Sequence, residues 1–445
     1  MTLETWLPAV LGYLIPIGVF LLAWGGMPPQ KARRSTTLGA LALALGALGY
    51  FAVGFAFHLG GAWVLTQRPG LEGLDVLYGG GGAREWGLIG LTGFFLSDGA
   101  TTPEALSLFI TYLPMATTAV LLVVLSVSER VPDWQMALLG TIVAAILFPL
   151  AACWIWGGGW LSQLGVTLEQ GHGVVDQSGS IVVYLLSGVA SLGAWVGIGK
   201  RLERAEEEDV AEMPPVHFPL LANVGVLLFG LGWLGWSLSQ PFHVVDAQLN
   251  LPHIAVSGLL AGAGAILASH AYCWITVGHA DPLMSARGAA VGFIAISAGA
   301  PFVPAWAALL IGIGAGFLLP LGVYLVEHVL RFPDATATTA MGVIGGLWGA
   351  LAVAVFANGR WGQGWNGVGA TEYFGVTGQG VTGLIPAQGL TMVGPGQLIA
   401  QLFGIGAIAL LAFLIGWLST LAMNVSFRRE ATEAPETEGP TASPS

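Results

Sequence analysis

Charge is what this chain has least of. Of its 445 residues only 9% are Asp, Glu, Lys or Arg, 25 acids and 14 bases, against 55% apolar residues. A soluble domain carries about 25% charged residues, and so few cannot cover a water-soluble body of this size. That scarcity excludes a soluble enzyme, a nucleic-acid binder and a disordered chain. Cysteine is nearly missing too. Cys153 and Cys273 both sit inside apolar runs and read as small apolar side chains, not as a disulfide or metal pair. There is no C-x-x-C and no His-rich tract, so no metal site is expected. There is no P-loop, no G-x-S-x-G with a plausible acid and base, and no Arg at every third position. These absences leave no ATP drive, no hydrolase and no voltage sensor in the chain. Neither an enzyme nor a cofactor is expected.

What is present is apolar sequence and glycine. A mean hydropathy of +0.77 implies an all-α polytopic membrane protein with the lipid bilayer as its solvent. Glycine supplies 67 residues, against a usual share of about 7%, which points to helices packed backbone to backbone. The net charge of −11 says little about partners, because ten acids and one base lie in two polar segments, 203–212 and 430–438.

Apolar runs of about 20 residues read as spans. They fall at 6–26, 37–58, 106–127, 134–156, 178–198, 219–240, 254–277, 288–300, 304–329, 340–356 and 397–424, eleven in all, the eighth being short. With alternating sides, 11 of the 14 bases share one face, while Arg68, Arg84 and Arg360 lie on the other. The positive-inside rule makes the first face cytoplasmic, with the N-terminus outside and the C-terminus inside. Two long loops, 59–105 and 357–396, then cap the outer face. The division expected is a transmembrane domain, 1–424, and a disordered cytoplasmic tail, 425–445, with room for a regulatory partner.

Spans one to five and six to ten could form a 5+5 inverted repeat, with the eleventh appended. The fifth span opens at Asp176 and carries Gly188 twelve residues on; the tenth opens at Asp334 and carries Gly346 twelve residues on. An acid before a helix caps its free N–H groups and suits its dipole. Two unrelated caps on Gly-rich helices would give the same pattern. Ionisable residues deep in the spans are scarce, His270 being the best placed. A path without buried charge suits a neutral or transiently deprotonated solute. Trp154, Trp156 and Trp160 around a Gly triplet, with Trp233 and Trp236, gather at the outer ends of the fourth and sixth spans. They read either as a cation-meeting surface or as an interfacial aromatic belt.

Taken in order, several segments resemble the ammonium transporter / Rhesus protein family, closer to its microbial branch. They are Trp24-Gly25-Gly26-Met27, Glu129-Arg130, Trp154-Ile155-Trp156-Gly157-Gly158-Gly159, Asp176 to Tyr184 with Gly199-Lys200-Arg201, and Gly232-Trp233-Leu234-Gly235-Trp236. Gly346-Leu347-Trp348-Gly349 and Gln397 to Leu402 continue the match. The resemblance implies a homotrimer with one narrow hydrophobic pore per subunit, an outer vestibule that recruits ammonium, and two pore histidines that handle its proton. By it, Trp156 is the vestibule tryptophan, Asp176 the structural acid, Met115 and Trp236 stand at the gate phenylalanines, and Gln240 stands at the vestibule serine.

The pore centre departs from the pattern. Tyr184 stands where the first histidine would be and Gly342, or Met341 with a one-residue shift, where the second would be. Imidazole exchanges a proton near neutral pH, whereas tyrosine, with a pKa near 10, is a poor relay. Gly342 would leave space at the centre. The expectation is an ammonium or ammonia channel in the cell membrane with a non-histidine pore centre. Two alternatives stay open: a ligand-binding sensor or structural trimer with little conduction, and a channel for another small neutral solute such as carbon dioxide or methylamine.

Overall fold

A long apolar segment in a bilayer satisfies its backbone polar groups internally, and a single chain segment does so as a helix. The computed structural model describes residues 3–27, 29–79, 86–128, 131–199, 219–239, 249–334, 336–392 and 394–433. Among these, ten helices are long and apolar enough to cross a membrane: Leu7–Gly25, Ser35–Thr66, Pro103–Val127, Asp133–Ile155, Ser180–Ile198, Leu220–Leu238, Leu251–Val277, Ala305–Val329, Thr338–Phe356 and Gly396–Asn424. A shorter apolar helix, Pro282–Ile296, stands between the seventh and the Ala305 helix and completes eleven. In chain order they are called the first to the eleventh helix.

The eighth starts and ends earlier than expected. It begins six residues before position 288, because the Asp281 side chain caps the Leu283 N–H at 2.9 Å and Pro282 occupies its first turn. Its Arg287, a residue that would normally be kept out of a span, is 3% exposed. The eleventh helix runs on to Glu433, beyond the expected end at residue 424. The rest of the tail, and the first acidic segment at 203–212, lie outside the described residues.

Helices that correspond in the 5+5 scheme pack against each other through glycine. A β-carbon on Gly18 of the first helix would meet the Gly225 carbonyl of the sixth at 2.5 Å, and one on Gly225 would meet Gly18 O at 2.8 Å. The fifth and tenth cross at Gly188 and Gly346: a β-carbon on Gly188 would lie 2.8 Å from Val343 N, and one on Gly346 2.6 Å from Ser180 O. Only residues without a side chain allow backbones this close. The eleventh helix lies along the fifth, with Thr420 Oγ1 donating to Ala194 O at 3.0 Å and Asn424 Nδ2 to Gly197 O at 2.9 Å.

Four of the spans contain a π-helical turn, at Tyr50–Gly54, Val143–Leu147, Ser180–Leu185 and Leu325–Val329. The second has a visible cause: Pro149 follows it and offers no N–H to the preceding turn. The long loops share one face of the bundle. They carry two small antiparallel hairpins, Leu77–Gly79 with Gly87–Gly90 and Glu372–Tyr373 with Val376–Thr377.

Candidate functional site

The segment before the fifth helix organises the loop-bearing end of the bundle. Asp176 Oδ1 accepts from Gly179 N at 3.1 Å, and Oδ2 accepts from Ile181 N at 2.9 Å and Val182 N at 2.8 Å. Asp334 repeats the device before the tenth helix, where Oδ2 accepts from Ala340 N at 2.9 Å. In both, the N–H captured lies six residues beyond the acid, so the echo in the sequence is an echo in geometry. Burial pushes both carboxyls up to about 6, while the backbone donors pull them down.

The Asp176 segment also anchors two tryptophans. Trp156 Nε1 donates to Asp176 O at 2.6 Å, and Trp236 Nε1 donates to Ser178 O at 3.1 Å. Gln177 Nε2 donates to Ser237 O at 3.1 Å, and the Ser178 and Ser237 hydroxyls lie 2.9 Å apart. Trp156, Asp176 and Trp236, which the sequence singles out, are therefore one unit joining the fourth, fifth and sixth helices. Gln240 lies outside the described residues. The hydroxyls that do reach the unit belong to Ser178 and Ser237.

The two indoles belong to a larger cage. Tyr112 of the third helix lies 5.7 Å from Trp156 and 5.5 Å from Trp236 between ring centroids, and the two indoles are 5.8 Å apart. His58, at the loop-bearing end of the second helix, closes it at 4.7 Å from Tyr112 and 6.3 Å from Trp156. Its Nδ1 is 2.9 Å from the Tyr50 hydroxyl. Met115 lies one turn along the third helix from Tyr112 and is fully buried. None of Trp156, Trp236, Tyr112, Met115 or His58 is more than 1% exposed. In this conformation aromatic rings close the loop-bearing end.

Sequence reading misses Tyr50, Tyr112 and His58. Eight residues of regular helix separate two side chains by about 80° around the axis. The π turn at Tyr50–Gly54 inserts an extra residue and brings Tyr50 and His58 onto one face. No residue pattern announces that turn, and His58 reads only as a residue near a span end.

Deeper in the bundle, Tyr184 is 1% exposed and its hydroxyl has no hydrogen-bond partner among the described residues. Its ring stands 6.1 Å from Phe229. The space expected at Gly342 is absent: a β-carbon there would stand 2.6 Å from Tyr184 O and 3.3 Å from Gly188. Gly342 serves the crossing of the fifth and tenth helices. His270 is exposed on the seventh helix, 3.5 Å from Ser285 Oγ, away from this line of rings. Trp233 donates to Ser297 Oγ at 2.8 Å and packs on Phe293, and Trp154 donates to Leu88 O at 2.9 Å, so neither belongs to the cage. Among the described residues no group of three or more His, Cys, Asp or Glu could hold a metal ion.

Comparison with known proteins agrees with this architecture. The sequence model described as Ammonium Transporter Family matches residues 6–442. The chain is 30% identical to an ammonium transporter Amt2 of Archaeoglobus fulgidus over 322 residues, 72% of this chain and 63% of that protein. It is 28% identical to an ammonium transporter of Bacillus subtilis over 356 residues, 78% of each. The matches with the Archaeoglobus protein and with a putative ammonium transporter of Synechocystis span 63% and 64% of those relatives, a little under two thirds of their lengths. Among solved structures, one titled Sensor Amt Protein superposes with a TM-score of 0.72 at 20% identity, covering 96% of this chain and 92% of its own. Candida albicans Mep2 superposes with a TM-score of 0.70 at 19% identity, covering 95% and 85%. At these identities the structural likeness speaks to the fold.

Proposed function

The chain belongs to the ammonium transporter family, and from that premise we propose that it passes ammonia or ammonium across the cell membrane along a buried aromatic path in each subunit. The observation that carries the proposal is the cage of Trp156, Trp236, Tyr112 and His58, held by the capped Asp176 segment. Ring faces attract a small cation, and more strongly when water is excluded. Trp156 and Trp236 would meet the cation, Met115 would line the way inward, and Asp176 would hold the scaffold. Gln240 would contribute at the mouth.

Beyond the cage the path would run past Tyr184 and the Gly342 crossing. Among the described residues at that point Tyr184 and Gly342 offer no imidazole to carry a proton onward, and an ion without compensating groups is costly at that depth. This favours the neutral amine as the species that crosses. The subunit would assemble as a homotrimer, with the loop-bearing face outside, the C-terminal tail inside, and a regulatory protein binding that tail. The family's work is transport, which leaves no role for an enzyme reaction here.

Purified protein in liposomes tests the reading. An ammonium gradient should produce internal alkalinisation above that of empty liposomes, with little steady current. Tight binding of methylammonium without flux would favour a sensor or structural trimer, and indifference to ammonium with faster carbon dioxide equilibration would favour a gas channel. Absence of ammonium-dependent flux or binding would sink the proposal.

A further inference from the structure

We infer that His58, hydrogen-bonded to Tyr50, is the proton acceptor of the aromatic cage, taking the proton of an ammonium-type cation before the neutral amine moves on. This rests on the transport reading above and assigns its proton step. Imidazole is the one side chain whose ordinary pKa lets it gain and lose a proton near neutral pH, and in the cage only His58 carries one. Its ring lies edge-on to Tyr112 at 4.7 Å and 6.3 Å from Trp156, within the same shell of rings that would hold the cation.

The step balances without any further reagent. An N–H bond of the cation breaks, its electron pair stays on the amine nitrogen, and the proton forms an N–H bond on the imidazole. When the rings closing the loop-bearing end move apart, the imidazolium returns that proton to water there. The net change is one cation converted to one neutral amine plus one solvent proton, with His58 restored. For the ring to take that proton on Nε2, Nδ1 must carry the neutral ring's hydrogen and donate it to the Tyr50 hydroxyl oxygen across 2.9 Å, a bond that the imidazolium keeps. The faces of Tyr112 and Trp156 favour the transient imidazolium.

Among the described residues the other ionisable groups named around His58 are few. Tyr50 stands on its own helix and Tyr112 faces it from the third. Phe148 and Trp156 of the fourth helix do not ionise. Arg68, in the loop after the second helix, acts on Tyr112 through space. Asp176 lies beyond the Trp156 indole, with its carboxylate already engaged by three N–H groups. None of these would exchange a proton with the cage in the way His58 can.

The test is methylammonium uptake into liposomes at fixed methylammonium concentration between pH 5 and 8, alongside methylammonium binding read by tryptophan fluorescence. In the unsubstituted protein both should fall as the pH drops through the imidazole range, because a charged cage repels the cation and cannot take its proton. His58→Gln should flatten both profiles and lower uptake at pH 7.5 about a hundredfold or more, the low end of the usual general-base range and upward. Tyr50→Phe keeps the ring and should move the midpoint of the profile. Tyr50→Phe is read even if His58→Gln does not assemble. Profiles that keep shape and midpoint in Tyr50→Phe, or in a folded His58→Gln, would overturn the assignment. An unsubstituted protein with pH-dependent binding but no uptake would overturn the transport reading while leaving His58 as the titrating group of the cage.

Discussion

A β-carbon at residue 342 would stand 2.6 Å from the Tyr184 carbonyl oxygen, and this one contact reverses an expectation drawn from the family resemblance. A glycine in a pore lining suggests room, but room depends on which backbone lies opposite. Here the opposite backbone is the fifth helix at the place where the two halves cross. Replacing both Tyr184 and Gly342 by histidine is therefore not a neutral edit. Tyr184→His removes a buried hydroxyl that has no partner among the described residues and should assemble normally. Gly342→His must push the fifth and tenth helices apart and should cost about 1–3 kcal/mol, as overpacking does. Thermal unfolding in detergent checks this: a Gly342→His protein as stable as the Tyr184→His protein would show that the crossing is looser than its geometry implies.

At the scale of elements, the last helix does more than fill a groove. Gln397 and Gln401 lie one turn apart on it and face the irregular stretch 172–175. Gln401 accepts from Val175 N at 2.7 Å and donates to Val175 O at 2.9 Å, while Gln397 accepts from His172 N at 3.0 Å and donates to Gly173 O at 2.9 Å. Two side-chain amides thus do for this stretch what a neighbouring strand would do, and the stretch leads directly into Asp176. Gln401→Leu strands the Val175 N–H and C=O without water, at about 1–3 kcal/mol for each group left unsatisfied. We expect a lower unfolding temperature together with altered fluorescence of Trp156, whose indole hangs on Asp176 O. A change in stability with unchanged tryptophan emission would show that the stretch keeps its place without the amide ladder.

For the molecule as a whole, the loop-bearing end responds to pH through a residue remote from the cage. His172 is fully buried against Tyr373, 4.5 Å between ring centroids, and neither ring nitrogen has a partner among the described residues. Burial pushes its imidazole down to about 3. The folded protein therefore keeps it neutral, while the unfolded chain takes up a proton below about pH 6.5. Its contribution is complete above that value and is lost as the pH falls towards 3, by up to about 1.4 kcal/mol per pH unit. Asp176 and Asp334, raised to about 6, act in the opposite sense between about 6 and 3.8, so the bare pH profile mixes three groups. Comparison with His172→Asn cancels the two acids. The unfolding temperature of the variant relative to the unsubstituted protein should rise as the pH is lowered from 7 to 4.5, and a constant difference would contradict the assignment.

Bilayer physics made much of this protein readable in its residues. A helix that must satisfy its own backbone declares itself by length and hydropathy, so ten spans were plain and only the eighth helix was blurred, its start lying before Arg287 and not at residue 288. The echo between the two halves showed through Asp176 and Asp334, since a cap is a local device with fixed spacing. Trp156, Asp176 and Trp236 could be named because they lie in short ordered motifs. The rest depended on contacts between helices. His58 joins the cage through a π turn that no local pattern encodes, Tyr112 through the rotation of the third helix, and Gly342 loses its apparent room to the backbone across from it. Local hydrogen bonding and hydropathy act along the chain and are written there. Whether a side chain meets a ring, a carbonyl or open space is settled only when the helices pack.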